Sequence, residues 1–123
     1  MITLKDITNA HDRIGPFIHR TPILTNRSLN ELTGANLYFK CENFQKAGSF
    51  KIRGATNAVE LLSKEELARG VATTSSGNHG AALSMAVTRR GGKTKVVMPH
   101  NTPVIKVKNV ERNGGEVVWC ESN

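Results

Sequence analysis

The feature that most constrains this chain is the order of patterns between Val71 and Cys120: a short apolar run, a turn, a helical repeat, then the same again. Val71 to Thr74, Lys95 to Met98 and Glu116 to Cys120 have strand length and β-branched content. Asn78 to Arg90 and Pro103 to Asn113 carry helical spacing, and the glycine pairs Gly91-Gly92 and Gly114-Gly115 end them. Thr102-Pro103 reads as an N-cap followed by proline at the first helical position. Strand, helix, strand, helix, strand in succession predicts a parallel sheet with right-handed crossovers, because parallel neighbours cannot be joined by a hairpin. The expected fold class is α/β, a parallel sheet with flanking helices. Three strands without a further helix leave one sheet face uncovered, so the domain is expected to be incomplete in this chain.

Upstream, Thr3 and Asp6 form a capping-box start for a helix through Leu4, Ile7 and Ile14, stopped at Gly15-Pro16. Ser28 and Glu31 predict a second capped helix ending at Gly34. Leu37, Phe39 and Cys41 alternate with polar residues as a strand does. Gly48-Ser49 then opens a helix whose Ile52, Ala55, Val59 and Leu62 form one apolar stripe. Ser63 and Glu66 cap a short helix closed at Gly70.

A chain of 123 residues with 38% hydrophobic and 22% charged residues is globular in composition and long enough for one ordinary core. Its longest nearly apolar stretch, Ala81 to Val87, is too short to cross a bilayer, and Met1 to Arg13 has no signal-peptide h-region. A cytoplasmic protein is expected, with no membrane partner. Cys41 and Cys120 lack the spacing of a zinc site or the density of a disulfide scaffold, so reduced thiols are expected. The net charge of +7 raises nucleic acid as a partner. The bases are dispersed without interleaved aromatics, which argues against it. The absence of acidic residues from Leu67 to Val110 suits a smaller anion instead.

Two segments offer chemistry. The turn Ser75-Ser76-Gly77-Asn78-His79-Gly80 joins a strand's C-terminal end to a helix N-terminus, where free amides and the helix dipole favour a carboxylate or phosphate. The plainer reading is a tight glycine turn with capping Ser and Asn. Lys51 sits in the first turn of its predicted helix, where the positive end of the dipole disfavours the ammonium form. A neutral lysine amine is what imine chemistry needs, while a solvated surface lysine is the bland alternative. Gly92-Lys93-Thr94 resembles the end of a P-loop, but Val87 stands where its first glycine belongs. His11, His19 and His100 have no partner at metal-ligand spacing and read as surface residues, and no metal site is expected in this chain. Asp12 and Glu31 show no catalytic pairing, and Trp119 reads as core filling.

Together, Lys40-Cys41-Glu42-Asn43-Phe44-Gln45-Lys46-Ala47-Gly48-Ser49-Phe50-Lys51-Ile52-Arg53-Gly54-Ala55 and the Ser75 to Gly80 turn resemble the serine racemase and threonine or serine dehydratase family. These are pyridoxal-phosphate enzymes with the two-domain tryptophan-synthase β-subunit fold. The resemblance implies that Lys51 holds pyridoxal 5'-phosphate as an imine, that Phe50 packs beside its ring and that Asn78 bonds the ring hydroxyl. It implies that Ser75, Ser76, Gly77, Asn78 and His79 bind the substrate carboxylate. By the same resemblance Lys51 and Ser76 are the acid-base residues on opposite faces of the substrate. The implied activity is deamination of L-threonine, L-serine or a related β-hydroxy amino acid, with serine racemisation beside it.

Family members are more than twice this long, so the chain is expected to be an N-terminal fragment. Residues 1–65 would belong to the large cofactor domain, with the lysine, and 66–123 to a partial small domain. The cofactor's phosphate loop, the partner of its pyridine nitrogen and the carboxylates for a divalent metal (Mg or Ca) would all lie beyond Asn123. A homodimer is implied for the full-length enzyme. Relatives stimulated by ATP tend to carry Ser-Ser in place of Asn26-Arg27 and Thr in place of Ala47, so ATP regulation is not expected. The alternatives are a truncated homologue acting as an interaction module and a basic anion- or nucleic-acid-binding protein.

Overall fold

A computed structural model describes residues 1–122. The chain opens with α1 (Leu4–Ile14), whose start is the expected capping box: Thr3 Oγ1 accepts from the Asp6 amide while the Asp6 carboxylate accepts from the Thr3 amide at 2.8 Å. Strand β1 (Ile23–Leu24) follows, then α2 (Arg27–Thr33) and β2 (Phe39–Lys40). The cap of α2 is Asn26, whose side chain accepts from the Leu29 amide at 3.0 Å, and not Ser28, which lies inside the helix. Gly34 ends α2 in the left-handed conformation, φ +68°, which a side chain would strain.

The strand expected over Leu37 to Cys41 shortens to Phe39–Lys40, paired antiparallel with β1 so that Ile23 faces Lys40 and Leu24 faces Phe39. Beyond Lys40 the backbone coils into 3₁₀ turns at Glu42–Phe44 and Lys46–Gly48, which ends the pairing. Helix α3 (Lys51–Glu60) begins later than Gly48-Ser49 predicts, without a side-chain cap, and the Ser49 hydroxyl is buried with no partner among the described residues. Its apolar stripe holds, since Ile52, Ala55 and Val59 are buried. Helix α4 (Lys64–Arg69) carries the Ser63–Glu66 capping box.

From there β3 (Val71–Thr74), α5 (Asn78–Arg89), β4 (Thr94–Pro99), α6 (Val104–Arg112) and β5 (Gly115–Cys120) alternate as the sequence predicts. The sheet order is β3-β4-β5, both pairs parallel, with Val96 level with Thr73 and Val117. Helices α5 and α6 lie on the same face, as two connections that step the same way along a parallel sheet require, and their Ala81, Val107 and Val110 share one cluster with Val96 and Met98. Thr94, Val96 and Met98 are buried on that face, while Ala72, Thr74, Lys95 and Glu116 on the other stay exposed. Thr102 does not cap α6. Its amide is turned back to the Pro99 carbonyl at 2.9 Å, its hydroxyl is buried without a partner among the described residues, and Pro103 occupies the cap position. Trp119 is a second departure, 45% exposed and stacked on His100 with ring centroids 5.4 Å apart.

Glycine sets the helix-to-sheet distance. A Cβ on Gly115 would come within 2.2 Å of Ser84 Oγ and 2.7 Å of Val110, and one on Gly80 within 2.8 Å of Val96. One core cluster joins Ala81, Val96, Met98, Val107 and Val110 between helices and sheet. The other unites Ile52, Ala55 and Val59 of α3 with Leu67 and with Leu83 and Val87 of α5, and so spans the boundary expected at 65/66.

Candidate functional site

Helices α3 and α5 pack side by side and run in the same direction. At their C-terminal ends Arg89 pairs with Glu60, and Arg90 donates to the carbonyls of Val59 and Leu62. At their N-terminal ends Ala47 and Gly48, just before α3, share one cavity wall with Asn78, the first residue of α5. The positive ends of two helix dipoles therefore meet at one place. The sequence segments that carry Lys51 and the Ser75 to Gly80 turn are brought together there.

Lys51 is the first residue of α3, exposed, with its ammonium nitrogen 4.9 Å from the centroid of the exposed Phe50 ring. Gly77 holds the N-cap position of α5, and from two residues earlier Ser75 Oγ accepts from the amides of Gly77 at 3.3 Å and Gly80 at 3.1 Å. What Ser75 retains for a ligand is its hydroxyl proton. The amides of Ser76, Asn78 and His79 have no acceptor among the described residues, and these three residues are exposed. Gly77 leaves the approach open, and a Cβ placed there would lie 3.9 Å from the Lys106 ammonium. The cavity beside the turn, about 880 Å³, is lined by Lys106, Lys108 and Arg112 and by no acid. This end of the fold suits a negatively charged group.

Polar clamps that the sequence reading did not single out hold the segment before Lys51. Glu42 receives Arg53 through both carboxylate oxygens, Nε at 2.8 Å and Nη2 at 2.7 Å, and also the Thr21 hydroxyl at 2.6 Å. The Arg53 hydrogen bonds hold the Glu42 carboxyl at about 2, far below its ordinary 4.5, against the opposing effect of burial and with help from Thr21. Glu42 in turn raises Arg53. Gln45, 3% exposed, accepts from the His19 amide at 2.8 Å and donates to the His19 carbonyl at 2.7 Å. Eleven residues separate Glu42 from Arg53, so no helical spacing announces the pair. Lys106 was equally hidden, because only the fold carries α6 across to the turn.

His11, His19 and His100 are exposed, and among the described residues no three His, Cys, Asp or Glu side chains gather as a metal-holding group. No helix among the described residues is long and apolar enough to cross a membrane.

A family model described as pyridoxal-phosphate dependent enzyme matches residues 14–123. The chain is 55% identical over 119 residues to a serine racemase of Arabidopsis thaliana, an alignment that covers 97% of the chain and 36% of that relative. It is 56% identical over 119 residues to a beta-hydroxyaspartate dehydratase of Paracoccus denitrificans, covering 97% of the chain and 38% of the relative. The solved structure of maize serine racemase superposes with a TM-score of 0.94 at 45% identity, over 98% of the chain and 36% of that structure. The chain thus spans little more than a third of the length of the proteins it matches, and its parallel sheet with flanking helices corresponds to part of their fold.

Proposed function

The chain belongs to the family of pyridoxal-phosphate dependent enzymes, and from that premise we propose that it carries one wall of the active site of an amino-acid dehydratase or racemase. The substrate class is a β-hydroxy amino acid, serine, threonine or a close relative. A racemase and a dehydratase among the similar proteins bracket that chemistry. The observation that supports the reading is that the segment leading into Lys51 (Ala47, Gly48) and the first residue of α5 (Asn78) line one cavity at the shared N-terminal end of α3 and α5.

The donor set fits pyridoxal phosphate and its substrate. An exposed primary amine matches an aldehyde carbon, a flat exposed ring beside it matches a pyridine face, and the Asn78 carboxamide matches a phenolic oxygen. Bound there, the cofactor supplies an electron sink for the substrate α-carbon. Lys51 would hold the cofactor, and its Nζ would take the α-proton of the substrate on one face. The amides of Ser76, Asn78 and His79 receive the substrate carboxylate and fix which bond of the α-carbon faces Lys51. Ser76 Oγ is assigned the opposite face, where a proton donor is needed for inversion. Phe50 packs against the ring.

The same reading assigns 1–65 to the large cofactor domain and 66–123 to a partial small domain, in a homodimeric cytoplasmic enzyme. A Mg or Ca site, if the enzyme uses one, is assigned to residues outside this chain. Borohydride reduction of the holoprotein, followed by peptide mapping, tests the central assignment. The pyridoxyl label is expected on Lys51, and a label on Lys40 or Lys46 overturns it.

A further inference from the structure

The segment that delivers Lys51 is poorly supported by its own backbone. Ala47 sits at φ +58°, a left-handed conformation that costs a residue with a side chain about 1–2 kcal/mol. Gly48 follows at φ +74°, the Ser49 hydroxyl has no partner among the described residues, and α3 then starts at Lys51 with no side-chain cap on its first amides. A helix start of this kind frays unless something outside it holds the first turn.

The holding contact is the fork between Glu42 and Arg53. Glu42 stands at the entry of the segment and Arg53 on the first turn of α3, two residues past Lys51. The single carboxylate of Glu42 takes three hydrogen bonds, two from Arg53 and one from the Thr21 hydroxyl, and Thr21 is 4% exposed. The Thr21 carbonyl is in turn bonded by Lys40 Nζ at 2.7 Å. Entry, exit and the extended residue Thr21 just ahead of β1 are thus tied at one point, while Gln45 pins the middle of the segment to His19. A bidentate fork fixes both distance and angle, which a single point charge does not.

We propose that Glu42 and Arg53 are positioning residues that set the Lys51 amine against the Ser75 to Gly80 turn by closing the base of the strained segment between them. The proposal rests on the reading of Lys51 as the cofactor-bearing lysine. Neither residue needs to touch the substrate. Their effect passes through the backbone of 46–51, and displacing a reacting group by about 1 Å can lower a rate by about 100-fold.

The test compares holoprotein variants Glu42→Gln and Arg53→Lys with Val59→Ala, which removes buried methyls from the same helix on its core side. Borohydride mapping of the unsubstituted holoprotein comes first. Label away from Lys51 refutes the reading of the site and the proposal with it. With label on Lys51, Glu42→Gln and Arg53→Lys are expected to lower kcat at least about tenfold with KM within about threefold. In the apoprotein, amide exchange across 46–53 should quicken by about tenfold or more in both, while Val59→Ala, at a comparable fall in Tm, leaves kcat and this exchange unchanged. Arg53→Lys keeps charge and bulk without the fork, so it decides the matter if Glu42→Gln does not fold. With Lys51 labelled, unchanged kcat and exchange in the fork variants, or equal losses in Val59→Ala, refute the positioning role alone.

Discussion

Between Val71 and Cys120 the chain buries Ala81, Val96, Met98 and Val110 completely, whereas from Ile23 to Lys40 no residue is buried. The later region is held by close packing: glycines let α5 and α6 approach the sheet until a single added methyl would collide. The earlier region leaves Ile23, Leu24 and Phe39 exposed, and polar clamps at its margins hold it and the lysine segment that follows, Glu42 on Arg53 and Thr21, Gln45 on the His19 backbone. On the proposed reading the two regions divide one site: the packed region presents the anion turn, and the clamped region the lysine whose placement is proposed to depend on charge-assisted hydrogen bonds.

The sharpest way to break this comparison is to remove one side of the site. In the complete enzyme, Ser76→Ala should lower interconversion of L- and D-serine at least about 100-fold while L-serine deamination largely survives, because only inversion needs a donor on the second face. Equal loss of both activities, assayed on the same preparation, would show Ser76 serving carboxylate binding or capping alone. In the packed region Gly115→Ala should destabilise by about 3 kcal/mol, since Ser84 and Val110 must retreat from the new methyl. Chemical denaturation of the holoprotein reads this, and a loss below about 1 kcal/mol would mean that α5 and α6 are less tightly seated than described.

The clamped region should instead answer to acid. Glu42 has its carboxyl depressed to about 2 in the fold against an ordinary 4.5, so its contribution is complete above about pH 5 and disappears as pH falls toward 2. Denaturation of the parent and of Glu42→Gln should differ by about 2 kcal/mol at pH 7, after allowing for partial solvent screening, and converge as the pH drops. A difference that persists unchanged at pH 3 would assign the effect to packing. Smallest of these is Ser63→Ala, which removes the α4 cap and should cost about 1 kcal/mol with no pH dependence near neutrality. Thermal melts at pH 6 and pH 8 check it.

Much of the architecture was legible because it is written in local chemistry. The Thr3–Asp6 and Ser63–Glu66 boxes, Gly34 and the glycine pairs after α5 and α6 each specify a boundary within four residues. Where the reading missed a helix start, a competing local contact won. Asn26 outcompeted Ser28 for the start of α2, and Thr102 was drawn into a turn with Pro99 before it could cap α6. Trp119 escaped the core because it stands at the C-terminal end of β5, where the ring stacks on His100.

By itself, then, the sequence determined the parallel β-α-β-α-β order, the helix stripe of α3 and the residue types of the lysine segment and the anion turn, since all of these depend on neighbours a few positions apart. Only the tertiary structure decided that α3 and α5 run the same way and bring Lys51 and Asn78 to one end, that Lys106 leans toward Gly77, and that Glu42 grips Arg53. Those contacts join residues 11 to about 30 positions apart, and their existence depends on which helix faces bury together, a choice made by packing and not by any local signal.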